Sequence, residues 1–120
     1  MNVAFFSPYF PAANEQVRIY LEESGFSVRN DLCLQCKSWT DIAKVDKDVM
    51  LSSLQKIDDE NIDALIQVGT NLPMASFAEE FESSFQKPII AINTATYWDA
   101  LRQNDIHDKV KGFGKLLSEY

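Results

Sequence analysis

Hydrophobic and polar positions alternate along the chain between short apolar runs and stretches with helical spacing. Asn2 to Phe6 is a short apolar run ended by Ser7-Pro8, which predicts a first strand. Ala13 to Ser24 sets Val17, Tyr20 and Leu21 on one helical face, and Gly25 follows where a helix end commonly takes a left-handed residue. Phe26 to Leu34 mixes polar and apolar residues and predicts a second strand, less buried than the first. Asp46 to Ile57 reads as a second helix with Val49, Met50, Leu54 and Ile57 facing inward. The apolar run Ala64 to Val68 predicts a buried third strand, broken at Gly69. Pro73 is expected to open a third helix, reaching Ser84 and carrying Met74, Phe77, Ala78 and Phe81. A fourth strand at Ile89 to Ile92, a fourth helix at Thr96 to Gln103 and a closing segment at Gly112 to Tyr120 complete the pattern.

Strands alternating with helices, without repeats or a low-complexity linker, predict a single α/β domain over residues 1–120. The expected architecture is a three-layer α/β/α sandwich around a four-stranded parallel sheet in the order 2-1-3-4. The polar second strand suits an edge. Composition changes this picture mainly through charge. A formal net charge of −7 argues against nucleic acid and anionic membrane surfaces, because both need a cationic face. Met1-Asn2-Val3 lacks a signal-peptide layout and no segment reaches membrane-spanning length, so a cytoplasmic location is the expectation.

Ligands of such sheets bind beyond the carboxyl ends of the strands. The loops placed there are Ser7-Pro8-Tyr9, Gln35 to Thr40, Gly69-Thr70-Asn71 and Asn93-Thr94-Ala95-Thr96. The last two are expected to run into helices, where free N–H groups and short polar side chains suit a carboxylate or phosphate. The same residues can equally serve as plain helix caps. Tyr9, immediately after the first strand, either turns its phenol to the ligand edge or packs in the core. Trp39 and Trp98 are expected to be packing residues, and His107 to be exposed without a catalytic role. Cys33 and Cys36 have Cys-x-x-Cys spacing but fall at a strand end, away from a helix N-terminus. With no second cysteine pair to complete a zinc site, two free thiols are expected, at least one of them buried. No dinucleotide Gly-x-Gly-x-x-Gly follows the first strand, no Gly-Lys-Thr phosphate loop occurs, and no receiver-type aspartate ends the third strand.

Taken in order, several stretches carry a resemblance that spans nearly the whole chain. They are Phe6-Ser7-Pro8-Tyr9 with Asn14, Asp41-Ile42-Ala43-Lys44-Val45, Asp63-Ala64-Leu65-Ile66 leading to Thr70-Asn71-Leu72-Pro73, and Lys87-Pro88-Ile89-Ile90 leading to Asn93-Thr94-Ala95-Thr96-Tyr97-Trp98. Together they resemble the second, C-terminal domain of the maleate isomerase and arylmalonate decarboxylase branch of the aspartate/glutamate racemase superfamily.

The resemblance implies half of a two-domain fold whose active site lies in the cleft between the domains. There each domain supplies a cysteine for cofactor-free proton transfer or addition at a carbon beside a carboxylate. It implies that Tyr9, Thr70 and Asn71 keep a pocket for a small carboxylate; the loop reading sets Gly69 and Thr94 beside them. It also implies departures. Gly69 stands at the cysteine position, the first domain is absent from this chain, and the expected substrate-contacting asparagine falls at Trp39 or Thr40.

Three functions are compatible with this pattern. The chain could hold a carboxylate without catalysis, or be an isomerase, racemase or decarboxylase completed by a partner that supplies the missing domain. It could instead be a homodimerising interaction module that covers Phe5, Phe6, Phe10 and Trp39. A cysteine placed at position 69 is expected to bring a thiol to the ligand edge.

Overall fold

The run Asn2–Ser7 forms β1, and everything from Val3 onward in it is buried. In the computed structural model, which describes residues 1–120, β1 lies inside a four-stranded sheet of order β2-β1-β3-β4. All of its pairings are parallel. The partners are β2 (Ser27–Cys33), β3 (Ala64–Gln67) and β4 (Ile89–Ala91). The mixed strand β2 takes the edge, as its polarity predicts, and a register shift between Val3 and Ala4 marks its pairing with β1.

Alternation along β1 divides the core. Ala4 and Phe6 join Leu65, Ile89 and Ala91 beneath helices α3 (Lys47–Ile57) and α4 (Ala78–Phe85), where Met50, Leu54 and Phe81 complete the larger cluster. Val3 and Phe5 face the other way, toward Val17 and Leu21 of α1 (Pro11–Glu23). Each phenylalanine fully buried in this way contributes on the order of 2–3 kcal/mol. Phe5 and Phe6 are therefore core residues and not part of an exposed face, contrary to the dimer-surface expectation.

Helix boundaries depart from the sequence pattern in instructive places. Helix α1 starts at Pro11, ahead of the expected Ala13, because proline's fixed φ suits the first helical position. A short helix, α2 (Trp39–Ala43), occupies what reads as loop. Its Ser38 cap accepts the Asp41 N–H at 3.1 Å. Pro73 opens no helix. The chain tightens from Gly69 through Leu72 and Met74 into a 3-10 turn at Ala75–Phe77, which leads into α4. Helix α5 (Ile92–Gln103) begins directly where β4 ends, well before the expected Thr96.

The short α6 (Lys115–Glu119) is held by a buried carboxylate, since Glu82 accepts the Lys115 N–H at 3.0 Å. Gly114 precedes it at φ 97°, and a Cβ there would lie 3.1 Å from Glu82 Oε1. Gly114→Ala is accordingly expected to lower stability by about 1 kcal/mol or more, read as a reduced urea midpoint with an unchanged slope.

Candidate functional site

The carboxyl ends of β1 and β3 are neighbours, with Phe6 in register with Gln67, so the loops that follow them emerge side by side. Pro8 and Tyr9 from the first loop and Gly69, Thr70 and Asn71 from the second line one cavity of about 170 Å³. Trp39 and Ile42 of α2 also line it. The Tyr9 phenol does turn to this edge: its oxygen would lie 3.8 Å from a Cβ built on Gly69.

No acceptor in the protein takes the backbone N–H groups of Gly69, Thr70 or Asn71. Consecutive free amides beside a phenol can share the oxygens of one small anion. The side chain of Asn71 is occupied elsewhere, donating from Nδ2 to Trp39 O at 2.6 Å. That bond ties α2 to the loop and fixes the Asn71 carboxamide against Trp39, while its main-chain N–H stays unpartnered.

A buried polar chain sets the first loop. Tyr9 N–H donates to Ser7 Oγ at 3.2 Å, Ser7 Oγ donates to Asn14 Oδ1 at 2.7 Å, and Asn14 Nδ2 donates to Asp31 Oδ1 at 3.0 Å. Arg18 closes the chain on Asp31 and donates to Val28 O. Burial opposes the Arg18 charge, yet Asp31 and then Glu22 outweigh it and leave the guanidinium pKa raised. Of these residues, sequence reading marked only Asn14 and the Ser7 loop, and it gave Asn14 no role.

Thr94 is not part of this cleft. Because α5 starts at Ile92, Thr94 lies in its first turn, 4% exposed, against a separate apolar hollow with Ala75, Tyr97 and Phe113. The neighbouring Asn93 makes the connection instead, donating from Nδ2 to Thr70 O at 2.8 Å. Trp39 is also misjudged as a packing residue: it is 81% exposed on the rim. Trp98 is partly buried, with Arg102 5.7 Å from its ring. His107 is exposed.

Cys33 and Cys36 are free and both half-buried. The loop that carries Cys36 does fold toward the site. Its N–H donates to Pro8 O, and it lines a second hollow that shares Tyr9, Trp39 and Ile42 with the cleft. Burial, and then the Asp41 carboxylate, push the Cys36 thiol up, so it is held protonated and is a weak nucleophile. No group of three or more His, Cys, Asp or Glu residues is placed to hold a metal. A larger concavity, about 440 Å³ between α4 and α6, is lined by charges of both signs, such as Glu79 and Lys115, and by uncharged residues such as Ser83 and Gln86. The smaller cleft is the candidate site, because residues with unpartnered N–H groups line it beside Tyr9.

A parallel α/β domain with strand order β2-β1-β3-β4 matches half of a two-domain fold. The chain belongs to the arylmalonate decarboxylase family, whose model matches residues 1–117. Among curated relatives, a maleate isomerase of Nocardia farcinica is 28% identical over 98% of this chain and 47% of its own length. The fold of a cysteine-to-serine variant of the N. farcinica maleate cis-trans isomerase, with a covalently bound succinylcysteine intermediate, superposes with a TM-score of 0.94. That match is at 26% identity and covers 100% of this chain and 49% of the other. An arylmalonate decarboxylase structure shares the fold at TM-score 0.89 and 21% identity, over 99% of this chain and 54% of its own. The chain thus spans about half the length of the curated relatives it matches. No helix is long and apolar enough to cross a membrane.

Proposed function

We propose that this domain binds one small carboxylic acid at Gly69, Thr70 and Asn71 without supplying the catalytic thiol itself. The observation that carries this reading is the set of unpartnered N–H groups on those residues, which line one cavity together with Tyr9. A carboxylate would accept from the amides and from the Tyr9 hydroxyl, and charge-assisted bonds of this kind are the stronger sort. Its carbon chain would lie along Pro8, Trp39 and Ile42. Turnover needs a group that donates or removes a proton at carbon, and on the family correspondence Gly69 offers none. The relatives named for maleate set the first ligands to try.

A second reading is favoured by Trp39, which lines the cleft and stands 81% exposed. On that reading a companion domain, or a second copy of the chain, completes an isomerase, racemase or decarboxylase. Exposed aromatic surface at a cleft rim suits such a contact.

Titration with maleate, malonate and phenylmalonate, followed by thermal unfolding, tests the first reading. At 100 times its dissociation constant an acid should add about 2.7 kcal/mol of stability. Tyr9→Phe should weaken that binding about five- to tenfold and leave the ligand-free melting temperature nearly unchanged. Absence of any shift with every acid would turn the assignment toward an interaction module. Turnover on adding a companion chain would establish the second reading.

A further inference from the structure

Gln67 ends β3 with a side chain that is 0% exposed and only half satisfied. Its Nε2 donates to Gly69 O at 2.8 Å, while Oε1 has no partner. A buried carbonyl left unpaired carries a desolvation penalty. Methionine, of nearly the same length, would fill the space without it, so the carboxamide's contribution lies in what it does to Gly69.

We propose that Gln67 is a positioning residue for the cleft, aiming the Thr70 N–H at the bound acid; this rests on the carboxylate reading above. The peptide joining Gly69 to Thr70 is trans and planar, so the Gly69 carbonyl and the Thr70 N–H point in opposite directions. The carbonyl is tethered from two sides, by Gln67 Nε2 and by the Leu72 N–H at 3.1 Å. Pulling that oxygen toward a buried side chain turns the Thr70 N–H the other way, away from the core. Glycine at φ 104° sets no such direction by itself, because its backbone rotates with little steric resistance. The next peptide carries a similar tether: Asn93 Nδ2 donates to Thr70 O at 2.8 Å, and a trans peptide turns the Asn71 N–H away from Asn93.

The test uses the full chain, labelled with nitrogen-15, with maleate and phenylmalonate as probes. Gln67→Met should unfold cooperatively, shift the Thr70 amide resonance, and bind both acids about tenfold or more weakly. Gln67→Glu supplies a readout that packing alone would not move. Burial holds its carboxyl pKa up, and the protonated acid can donate to Gly69 O as the amide does. Its affinity should approach wild type at about pH 5 and fall as the pH rises toward about 8, where no proton remains to donate. The wild type is the control for that step, since Tyr9, Cys36, Lys37 and Asp41 around the cleft are common to both proteins. A folded Gln67→Met that binds like wild type with an unmoved Thr70 amide would overturn the proposal. So would a Gln67→Glu affinity that ignores pH, which decides the matter if the methionine variant fails to fold. If the wild type binds neither acid, the carboxylate reading falls on its own, and an unmoved Thr70 resonance in Gln67→Met would overturn the positioning claim as well.

Discussion

Gly69→Cys should destabilise the domain by about 2–4 kcal/mol and should not yield a well-placed thiol. Gly69 sits at φ 104°, a backbone conformation that side-chain-bearing residues rarely adopt. A Cβ there would lie 2.6 Å from Pro8 Cδ and 2.7 Å from Pro8 Cγ. The obstructing atoms belong to a ring and cannot swing aside as a flexible side-chain end would. This revises the sequence-based expectation that a cysteine at position 69 simply meets the ligand edge: in this chain the Pro8 ring already fills that space. The prediction is checked by urea unfolding of Gly69→Cys, Pro8→Ala and the double variant. Removing the ring should recover about half the loss or more, because the two sites are in contact and their effects cannot add. Additive effects would mean that backbone strain alone accounts for the damage. Thiol alkylation of the double variant then reports whether a cysteine reaches solvent in the cleft.

The placement of Tyr9, Gly69, Thr70 and Asn71 was legible because it follows from topology. Apolar runs mark the strands, parallel order brings the ends of β1 and β3 together, and residues just after those ends have to meet. Thr94 was misplaced for a local reason. Ile92, Thr94 and Thr96 are β-branched, so the segment reads as strand and loop, while the helix forms there regardless. Its packing against β4 and α6 outweighs the weak propensity. Helix α2 escapes a periodicity reading because five residues carry no usable period, and Trp39 departs from the expected packing role although most tryptophans are largely buried. Gln67 and Asn93 act through single carbonyl tethers, to Gly69 and Thr70, that no spacing rule announces. The core split, by contrast, follows directly from strand alternation: Phe5 and Phe6 were read as candidates for an exposed face, but a sheet covered on both sides buries consecutive residues.

Asn14→Leu should cost about 2–4 kcal/mol, although the two side chains have the same number and branching of heavy atoms. Asn14 is buried in the first turns of α1, and it is the acceptor for Ser7 and a donor to Asp31 at once. Leucine would strand the Ser7 hydroxyl, whose oxygen takes the Tyr9 N–H, inside the protein without an acceptor. Asp31 would suffer less, because it keeps Arg18 and some solvent. The loss should therefore concentrate at the Ser7 end, where the Tyr9 loop meets the cleft. Two measurements separate this account from a general packing defect. In the first, Ser7→Ala combined with Asn14→Leu should be less damaging than the sum of the single changes, since deleting both partners leaves no orphaned hydroxyl. In the second, acid binding should weaken in Asn14→Leu even where the protein is fully folded, because the phenol is no longer held over Gly69. Undiminished binding at matched folded fraction would mean that the chain from Arg18 to Tyr9 stabilises the fold and leaves the cleft to be set from the β3 side alone.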